Sequence, residues 1–294
     1  MIYPAPDSCR TARALRVAAY PVLFLATLGG GLALLRAGAP EPIALLAPTI
    51  ALAVSLAALE RVIPWERAWL APRGDVPTDR AHAIATLMIA PAIQGLVIAL
   101  LPHVEHGLLA GVPWLAAEIA IVVLLGDLGP YFAHRAMHEK SELLFRIHAV
   151  HHAPTRLWWL NAFRVHPLNL VANVTLRIVP GLLLGASHEA LFAAALISGF
   201  ANVFAHANVD VRLGVLDWIF SGPALHRLHH HVEPARSQSN YGGTTILWDV
   251  LFGTRRAPRE RVGDGDVGVG DAAPPEGWLA QLLHPFGVRC CAAA

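Results

Sequence analysis

Long apolar segments dominate the first 128 residues of the chain. Four of them are almost free of charged side chains, and they cover residues 17–35, 43–59, 83–102 and 107–128. Only Glu118 and Asp127 interrupt the last one. A helix needs about 20 mostly apolar residues to cross the hydrocarbon core of a bilayer. The pattern therefore predicts four membrane-spanning helices.

A further apolar region, residues 168–204, is long enough for two helices. Polar and helix-breaking residues divide it, and they are Arg177, Pro180, Gly181, Gly185 and Glu189. We expect either two full crossings or a shallow re-entrant hairpin. In both cases the two ends emerge on the same side, which places His166 and His206 together.

The arginines indicate the orientation of the predicted spans. Those on one side, before the first span and between the second and third, are Arg10, Arg13, Arg16, Arg61, Arg67, Arg73 and Arg80. The first loop on the other side has only Arg36. Cytoplasmic loops carry an excess of basic residues, so the N-terminus is predicted to be cytoplasmic. Four crossings then return the chain to the cytoplasm near Tyr131.

Composition supports a membrane protein. Hydrophobic residues make up 55% of the 294 residues and charged ones only 15%, against about 25% charged in soluble domains. A net charge of +1 gives no basic surface for nucleic acid, and the cysteines (Cys9, Cys290 and Cys291) are too near the termini to cross-link a core. We predict an all-α, polytopic membrane bundle of about four spans plus the hairpin, capped by a cytoplasmic histidine-rich helical region.

Three regions follow from this organisation. Residues 1–128 hold the spans, and residues 129–254 form a histidine-rich catalytic region that includes the membrane hairpin 168–206. Residues 255–294 begin with a basic run and continue with Gly, Asp, Ala and Pro, which is typical of a flexible polar segment. The basic run suits either an acidic protein partner or anionic lipid headgroups.

Histidines are the unusual residues: 12 of the 16 lie between His134 and His231. They form an HxxxH box, two HxxHH boxes and a single histidine after Asn202, at positions His134, His138, His148, His151, His152, His206, His226, His229 and His230. Residues at i, i+3 and i+4 share one helix face, and neutral imidazole binds iron, zinc and copper. Eight or nine such ligands are too many for one ion and suit two.

The other histidines are separated from these boxes by spacing. His231 is ambiguous, because 226/230/231 also reads as a box; we favour His226, His229 and His230 as ligands, with His231 supporting them. Five histidines lack partners at helical spacing and are expected at the surface or the membrane interface, namely His82, His103, His106, His188 and His284.

Asp127 lies seven residues before His134, two turns along the same helical face. A carboxylate near a membrane span is a functional candidate, and one that accepts the free N–H of a ligand imidazole fixes its tautomer. We predict this role for Asp127. The alternative is an ion pair with Arg135.

Together these motifs resemble the fatty acid hydroxylase superfamily, also called the sterol desaturase family. The resemblance covers residues 113–254 and a Leu-Leu-His-Pro-Phe segment that ends at Phe286. It rests on the histidine boxes, on Arg164-Val-His166-Pro167, on Asn240-Tyr241-Gly242 and on Trp248-Asp249. It implies two iron ions, with zinc as the alternative metal in a purified sample, O2 as co-substrate, and oxygen or a double bond introduced at a lipid C–H bond.

The resemblance also implies site residues. The nine box histidines given above would be the ligands. Some relatives have a histidine four residues before the equivalent of His206, where this chain has Asn202. His166 would bind metal or, as we favour, support the ligands through Arg164.

Competing functions are a zinc hydrolase with Glu139 or Glu233 as base, a haem-binding electron carrier and a metal transporter. Adjacent histidines are unsuited to single axial haem ligands, and a transporter would place its histidines in mid-membrane. The chain has neither a dinucleotide-binding G-x-G-x-x-G on a strand–helix unit nor iron–sulfur cysteine spacing. A separate electron donor is therefore predicted: a reductase, a ferredoxin or a cytochrome b5-like protein.

Overall fold

The computed structural model describes residues 10–101, 104 and 107–287. Its helices are α1 (Arg10–Arg36), α2 (Glu41–Val62), α3 (Val76–Leu100), α4 (Leu115–Glu139), α5 (Glu142–His152), α6 (Pro167–Leu183), α7 (His188–His206), α8 (Pro223–His229), α9 (Pro234–Ser237), α10 (Leu247–Leu251) and α11 (Trp278–Leu283). Within these residues there are isolated β-bridges but no strands. The predicted all-α class is confirmed.

Five of these helices (α1, α2, α3, α4 and α7) are long and apolar enough to cross a membrane, and α6 is a shorter apolar helix. Their outward side chains are exposed hydrophobics, such as Leu25, Val54 and Met88. Helices that correspond to the four predicted spans and to the hairpin, α6–α7, are present, but the fourth begins at Leu115 and not at residue 107. Helix α4 continues through residue 128 to Glu139, so the helix of the fourth span also carries His134 and His138. The division at residue 128 stays a prediction.

Contacts between helix ends define the two opposite ends of the bundle. At one end, Arg16 of α1 donates to Asp210 over 2.5 Å, just beyond α7. At the other end, the Leu109 amide before α4 donates to the Leu184 carbonyl between α6 and α7 over 2.9 Å. The N-terminal end of α1 therefore lies at the same end as His206, as predicted. Because the α6–α7 turn reaches the α3–α4 connection, the hairpin extends along the whole bundle and is not shallow.

Close backbone approaches hold α6 and its turn in place. A Cβ at Gly126 of α4 would lie 2.7 Å from the Arg177 carbonyl oxygen, which is shorter than any real contact. Gly185, in the α6–α7 turn, has a φ of +72°, a conformation that favours glycine. These two glycines let α6 pack directly on α4 and then reverse into α7.

An aromatic cluster packs α1 against α7 beside the histidine end. Tyr20 contacts the rings of Phe200 and Phe204 edge-on, with centroids 5.1 and 4.9 Å apart. Phe24 and Phe220 complete the cluster. Such pairs add to the stabilisation that burial provides, so α1 is fixed close to His206.

The described part of the segment after residue 254 is largely irregular, but two of its valines pack against the rest of the chain. Its flexibility stays a prediction. Val262 and Val267 are buried and pack in a cluster with Trp65, Trp69 and Leu228. The Val232 amide donates to the Asp266 carbonyl over 2.8 Å. Average composition missed this anchoring, because two valines in a Gly/Asp-rich stretch supply the apolar contacts.

Candidate metal centre

The nine histidines of the predicted boxes come together in two groups. The five-histidine group consists of His134, His138, His148, His152 and His229, and the four-histidine group of His151, His206, His226 and His230. Within each group, one ring nitrogen per residue lies within 4.8 Å of all the others. The groups adjoin, since the His152 and His230 rings stack with centroids 4.2 Å apart. The geometry thus offers two neighbouring sites made of imidazoles.

Each HxxHH box serves both groups. In α5, His148 and His152 lie four residues apart and share a face, whereas His151 turns to the other group. In α8 and its C-cap, His226 and His230 form the corresponding pair and His229 turns away. Consecutive helical residues diverge by about 100°, so neighbours in sequence face different sites. The spacing alone predicted two ions but not this division.

Acceptors behind the rings fix the tautomers. Five Nδ1 atoms lie at hydrogen-bond distance from an oxygen: His134 to Tyr241 O (2.7 Å), His148 to Asn169 Oδ1 (2.8 Å), His151 to Arg164 O (3.2 Å), His206 to Asn202 O (2.7 Å) and His229 to Ser239 O (2.8 Å). A carbonyl can only accept, so each Nδ1 carries the hydrogen. The Nε2 of each ring therefore keeps its lone pair.

These lone pairs are arranged to bind cations. His151 Nε2 and His206 Nε2 are 3.1 Å apart although neither carries a hydrogen, so the contact is repulsive unless a cation lies between them. His134, His138 and His229 also have a buried Nε2 with no partner in the described part of the chain. The donor set fits two metal ions.

Burial keeps the histidines outside the membrane helices neutral. Six of them have a pKa well below the ordinary value for histidine. Removal from water is the largest cause, and repulsion from neighbouring imidazoles is the second. The six are His148, His151, His152, His226, His229 and His230. Metal ligands must be deprotonated. These six rings are therefore ready to bind at neutral pH without losing a proton.

Asp127 does not hold a ligand imidazole, contrary to the prediction. Its carboxylate accepts from the backbone N–H of Thr245 (2.9 Å) and from Arg177 Nη1 (3.0 Å). The Tyr241 carbonyl takes the place expected for Asp127 behind His134. The alternative pairing is also wrong, since Arg135 bonds to Glu139. Thr245, which bonds to Asp127, and Tyr241, which bonds to His134, both come from the loop around residues 241–245. This loop is over 100 residues away in sequence, so helical spacing cannot reveal either contact.

The remaining candidates lie around the groups. His166 caps α6 by accepting from the Leu168 amide (3.1 Å) and contacts the Leu282 carbonyl; the backbone carbonyl of Arg164, not His166, supports His151. His231 accepts from the Glu233 amide over 3.0 Å. Asn202 supports His206 with its backbone carbonyl, while its side chain donates to Ala162 O. None of the three belongs to either group.

Of the histidines expected at the surface, His188 is exposed and pairs with Glu41, whereas His82 is buried and bonds to Gln281 over 2.9 Å. His284 is half-buried. His103 and His106 lie outside the described residues. The correction at His82 has a simple cause: α11 covers it, and that contact joins residues 199 positions apart.

The two carboxylates considered as hydrolytic bases are both engaged. Glu139 accepts from the Tyr241 hydroxyl over 2.9 Å and from Arg135. Glu233 is exposed and forms an ion pair with Arg236. Neither is a free base beside the histidine groups, which removes the feature that favoured a hydrolase.

A cavity of about 350 Å³ adjoins both groups. Apolar residues of α3, α4, α6 and α7 form most of its wall, and His134, His148, His151 and His226 line its histidine end. The cavity gives a molecule of apolar character access to the imidazoles. It lies between the membrane helices, where a lipid would be available.

Sequence reasoning missed three polar residues here. Asn169 supports His148, Tyr241 supports His134 through its carbonyl and lines the cavity, and Arg177 lines the cavity from the middle of α6. Tyr241 belongs to one of the motifs of the family resemblance, but that motif assigns it no role. Arg177 carried a signal of its own, because an ionisable residue inside an apolar span is a functional candidate. Its place shortly before Pro180 and Gly181 suggests a break between helices, whereas it lies inside α6.

Comparison with known proteins is consistent with this geometry. The family model described as "Fatty acid hydroxylase" matches residues 119–254. The ornithine lipid hydroxylase OlsE of Rhizobium tropici is 35% identical over 242 residues, which cover 79% of this chain and 72% of that protein. No solved structure matches the chain significantly.

More distant relatives extend the comparison. Alkylglycerol monooxygenase of Xenopus tropicalis is 27% identical, over 69% of this chain and 46% of that protein. Methylsterol monooxygenase 1 of Danio rerio is 30% identical, over 48% of each. The chain therefore spans only about half the length of these two relatives. All of the named relatives oxidise lipids.

Proposed function

Because the chain belongs to the fatty acid hydroxylase superfamily and is thus an oxidoreductase that acts on lipids, we propose that its two histidine groups each hold one iron ion. The observation that carries this proposal is the set of buried, hydrogen-free Nε2 atoms, above all the facing pair of His151 and His206. Imidazole suits iron, copper and zinc alike. Zinc has no redox chemistry, so the relatives' oxidations favour iron.

The bound ions would supply, with O2, the oxidising power that cleaves an unactivated C–H bond, which no side chain can supply. The chain's own residues do the rest. The backbone carbonyls of Tyr241, Arg164 and Asn202 orient the imidazoles. The walls of the cavity hold the lipid beside the histidines and exclude water. The product is a hydroxylated or desaturated lipid, and the long match to a hydroxylase supports hydroxylation.

Electrons would come from a separate protein at the cytoplasmic end. Three arginines and one glutamate (Arg236, Arg256, Arg259 and Glu260) line a surface depression that includes Leu228, a residue between His226 and His229 of α8. Arg236 pairs with Glu260, which leaves Arg256 and Arg259 as the excess positive charge. A basic surface beside the centre suits an acidic electron carrier. The arginine distribution of the loops supports the cytoplasmic orientation.

Expression of the full chain in a bacterial host, followed by mass spectrometry of extracted lipids, tests the function. The expected result is a lipid with one added oxygen atom, or one lacking two hydrogen atoms, together with iron in the purified protein. His151→Ala should remove this product, and His188→Ala, an exposed residue outside both groups, should retain it. A product that persists in His151→Ala, or iron-free protein that retains full activity, would contradict the proposal.

A further inference from the structure

A row of polar residues runs along the cavity face of α6. Asn169, Asn173 and Arg177 are spaced by four residues and all line the cavity, so they share one helix face. The rest of this helix is largely apolar. The row starts at Asn169, beside His148, and ends about 12 Å farther along the axis, at the rise of about 1.5 Å per residue.

Helix α7 contributes a second polar row on the cavity wall. Ser198 and Asn202 line the cavity, and His206 of the four-histidine group follows at the same spacing. Ser198 lies at the far end of both rows, where it accepts a hydrogen bond from Arg177 over 3.0 Å. The path to the histidines is therefore polar on two sides, although membrane helices surround it. The rest of the wall is apolar, so the cavity can hold a polar group along these two rows and apolar groups elsewhere.

Arg177 is fixed through only one of its three guanidinium nitrogens. Nη1 donates to Asp127 Oδ1 (3.0 Å), Ser198 Oγ (3.0 Å) and Thr244 Oγ1 (2.7 Å). Nothing in the described part of the chain accepts a hydrogen bond from its Nε or Nη2, and 26% of the side chain is exposed. One edge of a held guanidinium is thus available on the cavity wall.

Arg177 is not the only group that stabilises the negative charge of Asp127. Asp127 is completely buried and also accepts from the backbone amides of Thr244 (3.2 Å) and Thr245 (2.9 Å). These amides also stabilise the carboxylate. The Nε and Nη2 groups of Arg177 can therefore donate to two oxygen atoms of a ligand. A planar guanidinium edge matches carboxylate and phosphate oxygens in a bidentate manner.

We propose that the cavity receives the head of an anionic lipid, whose carboxylate or phosphate binds the free edge of Arg177. This inference rests on the proposed function and deepens it by naming the substrate class. The two polar rows then contact the head, and the C–H bond presented to the histidine groups lies in the head region, within about 12 Å of the anionic group given the length of the α6 row. The acyl chains remain outside, among the membrane helices.

Binding to the purified full-length protein in detergent tests the proposal without turnover. Isothermal titration compares three probes with twelve-carbon chains: N-lauroylglycine, its neutral amide N-lauroylglycinamide, and dodecyl phosphate. A charge-assisted pair in this setting is expected to favour an anionic probe by about tenfold or more over the amide. The anionic probe that binds more tightly identifies the source as carboxylate or phosphate.

Arg177→Gln should abolish the preference and leave the affinity for the amide unchanged. Arg146→Gln is the matched control, because Arg146 is an exposed arginine that pairs with Glu142 on α5; it should keep the preference. Since Arg177→Gln leaves Asp127 buried without its ion pair, the double variant Asp127→Asn/Arg177→Gln is measured as well. Equal affinities in the wild type, or a preference that survives in the variants, would overturn the proposal.

The position of oxidation gives an independent readout. Tandem mass spectrometry of the lipid product from expressing cells should place the new oxygen or double bond in the head region. A modification near the end of an acyl chain would overturn the substrate assignment while leaving the oxidase function intact. Absence of any product alongside Arg177-dependent binding would instead count against the proposed function and support the anionic site.

Discussion

The two histidine groups draw on the same two HxxHH boxes, but they differ in their burial and in the groups that support their rings. The five-histidine group takes two rings from the membrane helix α4, and these are only half-buried, whereas all members of the four-histidine group are buried. Asn169 holds one ring of the first group with its side chain; the Nδ1 acceptors seen in the second group are backbone carbonyls. The two ions would therefore be inequivalent, and the second would have fewer protein ligands and more positions open to other molecules.

Two single variants, each lacking one histidine of one group, should have the largest effects and test whether the two groups bind metal separately. Loss of a residue that merely supports a ligand lowers activity by about tenfold to hundredfold. His229→Ala and His226→Ala remove a ligand itself, so each should lower turnover by more than this. Each should also lower bound metal by about half, which elemental analysis of purified protein measures. His188→Ala should change neither. Loss of all metal from either variant would show that the groups load as one unit.

Asn169→Leu tests the side-chain support of the five-histidine group. Without its acceptor, His148 loses its fixed tautomer, and metal affinity should fall about tenfold to hundredfold. Competition with a chelator measures the change. Asn169→Asp keeps an acceptor oxygen and should restore most of the affinity; equal losses in the two variants would assign Asn169 a packing role.

Asn202→Ala makes the corresponding change beside the four-histidine group, and the expected effect is smaller. The backbone carbonyl that holds His206 remains, so metal affinity should change by less than about tenfold, the lower limit for lost support. Asn202→His sharpens the contrast by adding a possible fifth imidazole to this group. A large loss of metal in Asn202→Ala would mean that the amide itself binds an ion.

His166→Ala and His231→Ala should have the smallest effects. Both side chains accept from a backbone amide outside the two groups, and loss of such a cap lowers the free energy of unfolding by about 1 kcal/mol. Thermal denaturation should show this shift while metal content stays unchanged. Reduced metal content in either variant would place that histidine among the ligands.

The sequence predicted the parts of this molecule that depend on local spacing. Apolar length was enough to find the spans, and the boxes contained all nine clustered histidines. The division of each HxxHH box between two groups was not predictable, because it requires the relative placement of α4, α5, α7 and α8. The partner of Asp127, the cover over His82 and the anchoring of Val262 and Val267 were missed for the same reason: each depends on contacts between distant parts of the chain.

The shared use of α5 and α8 links the fates of the two sites. Inserting or deleting a single residue within either helix would rotate its rings by about 100° and misdirect donors of both groups at once. Such a change would therefore disturb both sites and could not remove one of them alone. Insertions and deletions within α5 or α8 are therefore expected to damage both sites together, whereas substitution of a single histidine can weaken one site and leave the other in place.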